Sequence, residues 1–313
     1  MAWPQASRAQ QPALPVIGFL HGGTASVFAQ QVTAFRDGLS DAGYVEGKNV
    51  AIEYRWAEGR FDTLPALADD LVRRRVAVIV AIGGDIVARA ATKATSAIPI
   101  VFMVGQDAIR SGLVASVNRP GGNVTGVTLF VPLLVPKQME LLHRIVPNAA
   151  VIAVLANPDN PTVLPDPPDL EKAARANGME LLLLNATTAE GIDAAFTTMT
   201  SQRAGGLLVP GDVYFTSRLT QIVALAARHA VPTIYPFREQ AVAGGLMCYG
   251  NNLDETIRQA AAYTARILQG EKPGDLPIVQ PTKFQLVINL KTANTLGLAI
   301  PPAVLAIADE VIE

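Results

Sequence analysis

Short apolar runs rich in β-branched residues alternate with longer stretches whose apolar positions recur at helical spacing, the pattern of a parallel α/β protein. The run at 16–20 reads as a buried strand, 25–42 as a helix stopped by Gly43, and 50–56 as a strand with alternating Ile52, Tyr54 and Trp56. A helix at 64–74, a strand at 76–82, a helix at 86–95 and strands at 98–104 and 124–129 follow. The order then restarts: strand 151–156, helix 170–177, strand 179–185, helix 192–202, strand 206–210, helix 216–229 and strand 231–235.

Three segments align between the two halves. VIGFL at 16 matches VIAVL at 151, VAVIVAIGGD at 76 matches AGGLLVPGD at 204, and IPIVF at 98 matches VPTIY at 231. A nearly constant offset across three elements predicts two similar lobes. Between them lies FVPLLVP at 130–136, whose prolines predict a stiff connector that resists helix. Beyond the duplication, 244–249 reads as a strand, 254–268 as a strong helix and 284–288 as a strand before a final helix. Extra elements after two similar lobes predict a chain that passes between the lobes more than once.

Composition narrows the class. Half of the 313 residues are hydrophobic and 17% are charged, a balance opposite to that of a disordered chain. The 25 Lys and Arg against 27 Asp and Glu give a net charge of −2, without the basic excess that a nucleic-acid binder needs. No apolar run reaches the roughly 18 residues of a membrane-spanning helix. The single cysteine, Cys248, excludes an intrachain disulfide. Residues 1–15 lack periodicity and hold a small-x-small pattern at Ser7-Arg8-Ala9, so they read as a signal-peptide remnant or a disordered tail.

Parallel α/β sheets bind ligands beyond the carboxyl ends of their strands. The first-half residues at those ends are Gly23, Thr24, Gly84, Asp85, Gln106, Thr128 and Phe130. The second-half ones are Asn157, Asp212, Tyr214, Tyr235, Phe237, Arg238, Tyr249 and Asn251. Glycines there allow close backbone approach to a ligand, or merely permit the turn. The aromatics offer stacking, or ordinary packing. Asp85 and Asp212 are candidates to hold an ammonium or hydroxyl donor, or to cap the next helix; Arg238 is a candidate for a carboxylate, or a solvent-facing residue. The set is poor in catalytic groups. The P-loop, dinucleotide, zincin and nucleophile-elbow motifs are all absent, and no cofactor or metal is expected. Of the three histidines, His21 alone falls near the expected cleft, while His143 and His229 lie on helices.

VIGFL, FRDGLSDAGYVEGKNVAIEYRWAEG, IPIVFMVGQDAIRSGLVASVNRPGGNVTGVT and QPTKFQLVINLKTANTLGL together resemble the ABC-transporter substrate-binding proteins of the family that includes tryptophan- and tyrosine-binding components. The resemblance runs from residue 16 to the end. It implies a type I periplasmic-binding-protein architecture: two Rossmann-like α/β lobes with parallel sheets, a ligand between them, and three crossovers near 128–132, 250–253 and 279–283. Lobe one would comprise 16–127 and 252–280, and lobe two 128–251 and 281–313. It further implies an exported, periplasmic monomer that takes a small organic ligand (amino-acid-like, or an aromatic or organic acid) and hands it to a membrane ABC permease, without catalysis or nucleic acid. Asp212 and the Tyr249-Gly250 pair match the family's pattern. Asn251-Asn252 and Gly83-Gly84-Asp85 depart from it. A ligand-sensing receptor uncoupled from transport and a Rossmann-type enzyme are the alternative readings.

Overall fold

The computed structural model describes residues 14–313; all but the last two positions of the expected signal remnant or tail lie outside the described residues. The first sheet contains β1 (Val16–His21), β2 (Ala51–Trp56), β3 (Val78–Ile82), β4 (Ile100–Val104) and β5 (Val124–Thr128). The second contains β6 (Val151–Ala156), β7 (Glu180–Asn185), β8 (Gly206–Leu208), β9 (Thr233–Tyr235), β10 (Met247–Gly250), β11 (Gln285–Asn289) and β12 (Glu310–Ile312).

The first sheet runs β2-β1-β3-β4-β5, and the second begins with the equivalent order β7-β6-β8-β9-β10 before adding β11 and β12. All pairings are parallel except β10 with β11, where the C-terminal tail folds back. The central strands β3 and β4 are buried at every position, as expected of strands covered on both faces, and so is β5 at the sheet's edge, where Val127 bridges Val279 of the last crossing. The edge strand β2 is half-buried throughout.

Helices cover both faces of each sheet. In the first half they are α1 (Ala29–Asp41), α2 (Leu64–Arg73) and α3 (Asp85–Ala94). Gly43, at φ +85°, ends the first of these, a backbone that side chains rarely tolerate. In the second half α4 (Val131–Ile145), α5 (Pro167–Ala176), α6 (Ala189–Ser201), α7 (Val213–Ser217), α8 (Leu219–Arg228) and α9 (Arg238–Val242) follow, and then α10 (Leu253–Leu268), α11 (Leu290–Thr295) and α12 (Pro302–Leu305).

Three local expectations need correction. The connector 130–136 is not a non-helical strap: α4 begins at Val131, with Pro132 in the first turn, where amide hydrogens have no helical partner. Pro136 then forfeits one bond inside a helix anchored by buried Val135, Met139 and Leu142. The helix expected over 216–229 is two, broken at Arg218, because Asp212 caps a separate short helix. The final helix is two short ones, interrupted around Pro301 and Pro302, followed by the small strand β12.

Two helices exchange sides. α4 follows β5 of the first sheet yet packs beneath β8, β9 and β10 of the second. α10 follows β10 of the second yet packs on α1 and on β3, β4 and β5 of the first, burying Ile257, Ala260, Ala261, Thr264 and Ile267. The chain crosses between lobes after β5, after β10 and again before β11. The three crossings are stitched together: Asn251 donates to the Leu129 carbonyl at 2.6 Å, and the Thr128 amide donates to Val279 at 3.0 Å. Cys248 sits in β10, fully buried, and burial pushes its thiol up to about 12. Among the described residues no helix is long and apolar enough to cross a membrane.

Candidate functional site

The carboxyl ends of both sheets face a cavity between the lobes of about 60 Å³. The first lobe contributes His21 from the end of β1, the glycine pair Gly83-Gly84 and Asp85 from the β3–α3 turn, and Gly105 after β4. The second lobe contributes Asn160, Gly211, Asp212, Thr216 and Phe237. Leu129, Val131 and Leu253, at two of the crossings, form part of the wall. Phe28, Met103 and Val163 make the remaining surface largely apolar.

Local backbone explains how these groups come together. Gly83 and Gly84 have φ of +113° and +100°, and a Cβ on Gly83 would come within 3.0 Å of the Gly22 amide nitrogen. Glycine is therefore required for β3 to turn into α3 beside the β1 loop. A Cβ at Gly23 would overlap the Phe28 ring, so that glycine admits the aromatic wall instead of contacting a ligand.

His21 is fully buried against Phe28 and Trp56, with ring centroids 4.3 and 5.0 Å away. Its Nδ1 accepts the Gly23 amide hydrogen at 2.8 Å, so the neutral ring donates from Nε2 to Gln31 Oε1 at 3.2 Å. Burial lowers its pKa to about 4, and the Gln31 hydrogen bond opposes the shift only weakly. Both ring nitrogens are occupied.

The two acids differ. Asp212 Oδ1 accepts from Asn157 at 3.1 Å and from the Tyr214 and Phe215 amides, while Oδ2 accepts from Asn160 at 2.8 Å. It is the N-cap of α7 and its hydrogen-bonding capacity is largely used. Asp85 Oδ2 accepts the Gly105 amide hydrogen at 3.2 Å, and its Oδ1 is buried without a hydrogen-bond partner. Burial raises the pKa of both acids; backbone amides around Asp85, and the asparagines and helix amides around Asp212, oppose it. No lysine or arginine lines the cavity, and among the described residues no three His, Cys, Asp or Glu cluster to hold a metal ion.

Of the residues expected at the site, Gly84, Asp85, Asp212 and Phe237 line this cavity. Asn157 lies behind Asp212, and the Thr24 carbonyl accepts the Phe28 amide. Thr128 and Asn251 belong to the stitched crossings. Gln106 reaches across the cleft and donates to the Thr162 carbonyl at 2.9 Å, and nearby Arg110 pairs with Asp166 at 2.7 Å. Phe130 borders a separate surface hollow outside this latch. Tyr235 is inside the lobe-two core, Tyr249 packs near Phe284, and Tyr214 packs against Phe215 and Arg218. Arg238 is held at the surface by Glu310, at 2.6 and 2.7 Å. Strand-end position located the right loops, but not the direction of each side chain. Gln31, Asn160, Thr216 and the apolar wall were missed, because Phe28, Val131 and Val163 look like core residues in sequence. Asn160 alone had a signal, its place in the loop after β6.

The model for ABC transporter substrate binding proteins matches residues 22–312. The chain belongs to that family. A tyrosine-binding protein of Clostridioides difficile is 27% identical over 264 residues, 84% of this chain and 75% of that protein. The structure of an ABC domain in complex with L-Trp from Streptococcus pneumonia is 25% identical, with a TM-score of 0.86 over 96% of this chain and 100% of that one. A ligand-free, open substrate binding protein with adhesive properties from Clostridium difficile is 24% identical, with a TM-score of 0.66 over 96% of this chain and 99% of that one. The architecture is therefore the type I periplasmic-binding-protein fold, and the contacts of Gln106 and Arg110 across the cleft make this a closed arrangement of its lobes.

Proposed function

We propose that this protein is the extracytoplasmic solute-binding component of an ABC importer, that it works in the periplasm as a monomer, and that it delivers a small organic ligand to a membrane permease. The observation that carries the reading is a cavity formed only when both lobes contribute, with Asp85 on one side and Asp212 on the other. Closing the lobes removes water from a largely apolar chamber, so the few polar contacts inside gain strength. Its volume of about 60 Å³ favours a compact ligand at this degree of closure. Larger ligands require the hinge to stop short of it. The binding of aromatic amino acids by the Clostridioides difficile and Streptococcus pneumonia relatives supports an amino-acid-sized ligand. In this reading Gly84, Asp85, Thr216 and Phe237 contact the ligand, while Gln106 holds the closed lobes together.

The test is to release whatever co-purifies with the native protein by denaturation, identify it by mass spectrometry, and add it back to refolded protein. Scattering should report a smaller radius of gyration with ligand, and Thr216→Trp, which fills the cavity, should abolish binding. Undiminished binding by that variant, or chemical turnover of the compound, would sink the reading.

A further inference from the structure

The turn from β3 into α3 has the makings of an anion seat: two glycines with open backbone lead into a ten-residue helix whose first amides point toward the cavity end. In this protein the seat is already occupied. Asp85, the first residue of that helix, is 2% exposed and places its own carboxylate there, taking the Gly105 amide hydrogen on Oδ2. The second oxygen, Oδ1, is buried with no hydrogen-bond partner. Across the cleft Asp212 adds a second carboxylate whose oxygens accept four hydrogen bonds from its own lobe. The lining holds no lysine or arginine, and His21 is neutral with both nitrogens engaged. A ligand carboxylate entering this chamber meets two acids and no cation. An ammonium or amidinium supplies the missing donor to Asp85 Oδ1, and its apolar body lies against Phe28, Val163 and Phe237.

We propose that Asp85 is the specificity-determining residue of the cavity and selects compact organic cations without a carboxylate, alkyl- or arylalkylammonium compounds, over the corresponding amino acids. This rests on the cavity being the ligand site. It goes further by naming the charge type, and it sets organic acids aside as ligands. The carboxylate of Asp85 lies at the first turn of α3 and takes the Gly105 amide hydrogen, a donor that a ligand carboxylate would otherwise compete for. Removing it therefore does two things: it removes the partner of the ammonium, and it vacates the Gly105 amide and the helix end for an anion.

The experiment uses the full chain, unfolded and refolded to strip bound ligand, in calorimetric titrations with pairs that differ by one carboxylate: isobutylamine and valine, phenethylamine and phenylalanine, tryptamine and tryptophan. At least one amine should bind the unaltered protein about tenfold or more tighter than its amino acid, the scale of one charged hydrogen bond. Asp85→Asn keeps the side-chain shape and should lose that amine about tenfold or more; Asp85→Ser should move preference toward the amino acid. Circular dichroism melts of both variants check that they fold. Equal or tighter binding of the amino acids by the unaltered protein overturns the proposal, as does amine binding unchanged by Asp85→Asn, or no binding of any amine. In each of those cases the co-purified compound and Thr216→Trp still decide the solute-binding reading independently.

Discussion

Cutting the Gln106–Thr162 hydrogen bond tests how the closed state is held. The bond joins the loop after β4 to the loop after β6 at 2.9 Å and is partly shielded from water. A neutral hydrogen bond of this kind contributes about 1 kcal/mol net, a roughly fivefold change in the equilibrium between closed and open lobes. The neighbouring Arg110–Asp166 pair is shorter, at 2.7 Å, but its side chains are 65% and 68% exposed, so solvent screening and side-chain entropy leave it the weaker partner. Gln106→Ala should therefore weaken ligand binding about fivefold where the unliganded lobes stand mostly apart. Where they are already closed, the same free energy appears as a larger unliganded radius of gyration. Arg110→Ala should do less, and its effect should fade further in 0.5 M salt, roughly three times the physiological ionic strength. Calorimetry gives the affinity and small-angle scattering the closure. The reasoning fails if Gln106→Ala changes neither, or if Arg110→Ala outweighs it at physiological salt.

The buried His21 makes stability depend on pH. Its folded pKa, about 4, lies below the ordinary 6.5, so the unfolded chain takes up the proton first; stability is complete above about pH 6.5 and falls by up to about 3 kcal/mol as pH drops toward 4. The raised pKa values of Asp85 and Asp212 act in the opposite sense, so the signature is a difference: as pH drops from 6.5 to 4 the melting point of His21→Gln should fall less than that of the unaltered protein, or rise. Asp212→Ala should lower stability by about 2 kcal/mol, because it uncaps α7 and strands Asn157 and Asn160; chemical denaturation measures it, and an unchanged midpoint would contradict the capping role. At Gly250 an added Cβ would overlap the Pro236 carbonyl at the second crossing, so Gly250→Ala should cost at least about 2 kcal/mol, seen as a melting point lower by about 4 °C or more.

The sheets were legible because their buried strands are continuous apolar runs, and the repeat of VIGFL in VIAVL foretold the matching strand orders. The exchange of α4 and α10 leaves no mark in either helix's own pattern and was expected only through the family resemblance, whose lobe bounds put 128–251 in one lobe and 252–280 in the other. Prolines misled at 130–136 because their effect depends on position within the helix. At the site, glycines and acids at strand ends pointed to Gly84, Asp85 and Asp212. Tyr235 and Arg238 have the same sequence signal, but Tyr235 points into the core and Arg238 outward to Glu310. A period-two strand gives alternation, and the turn that follows it is what aims the last side chain.

The exchanged helices also set the order in which the chain becomes complete during synthesis. The first sheet is finished at Thr128, but the helix that covers Val78, Val80 and Val101 ends at Leu268. About 140 residues must be made in between. At roughly 5–20 residues per second, that face waits on the order of 7–28 s without its lid. Cut after β5, the first half lacks the helix its own sheet needs, while the second half keeps α4 and carries α10 as a helix foreign to its sheet. The first lobe therefore depends on chain made after most of the second, and a nascent chain stays incomplete until most of it has emerged.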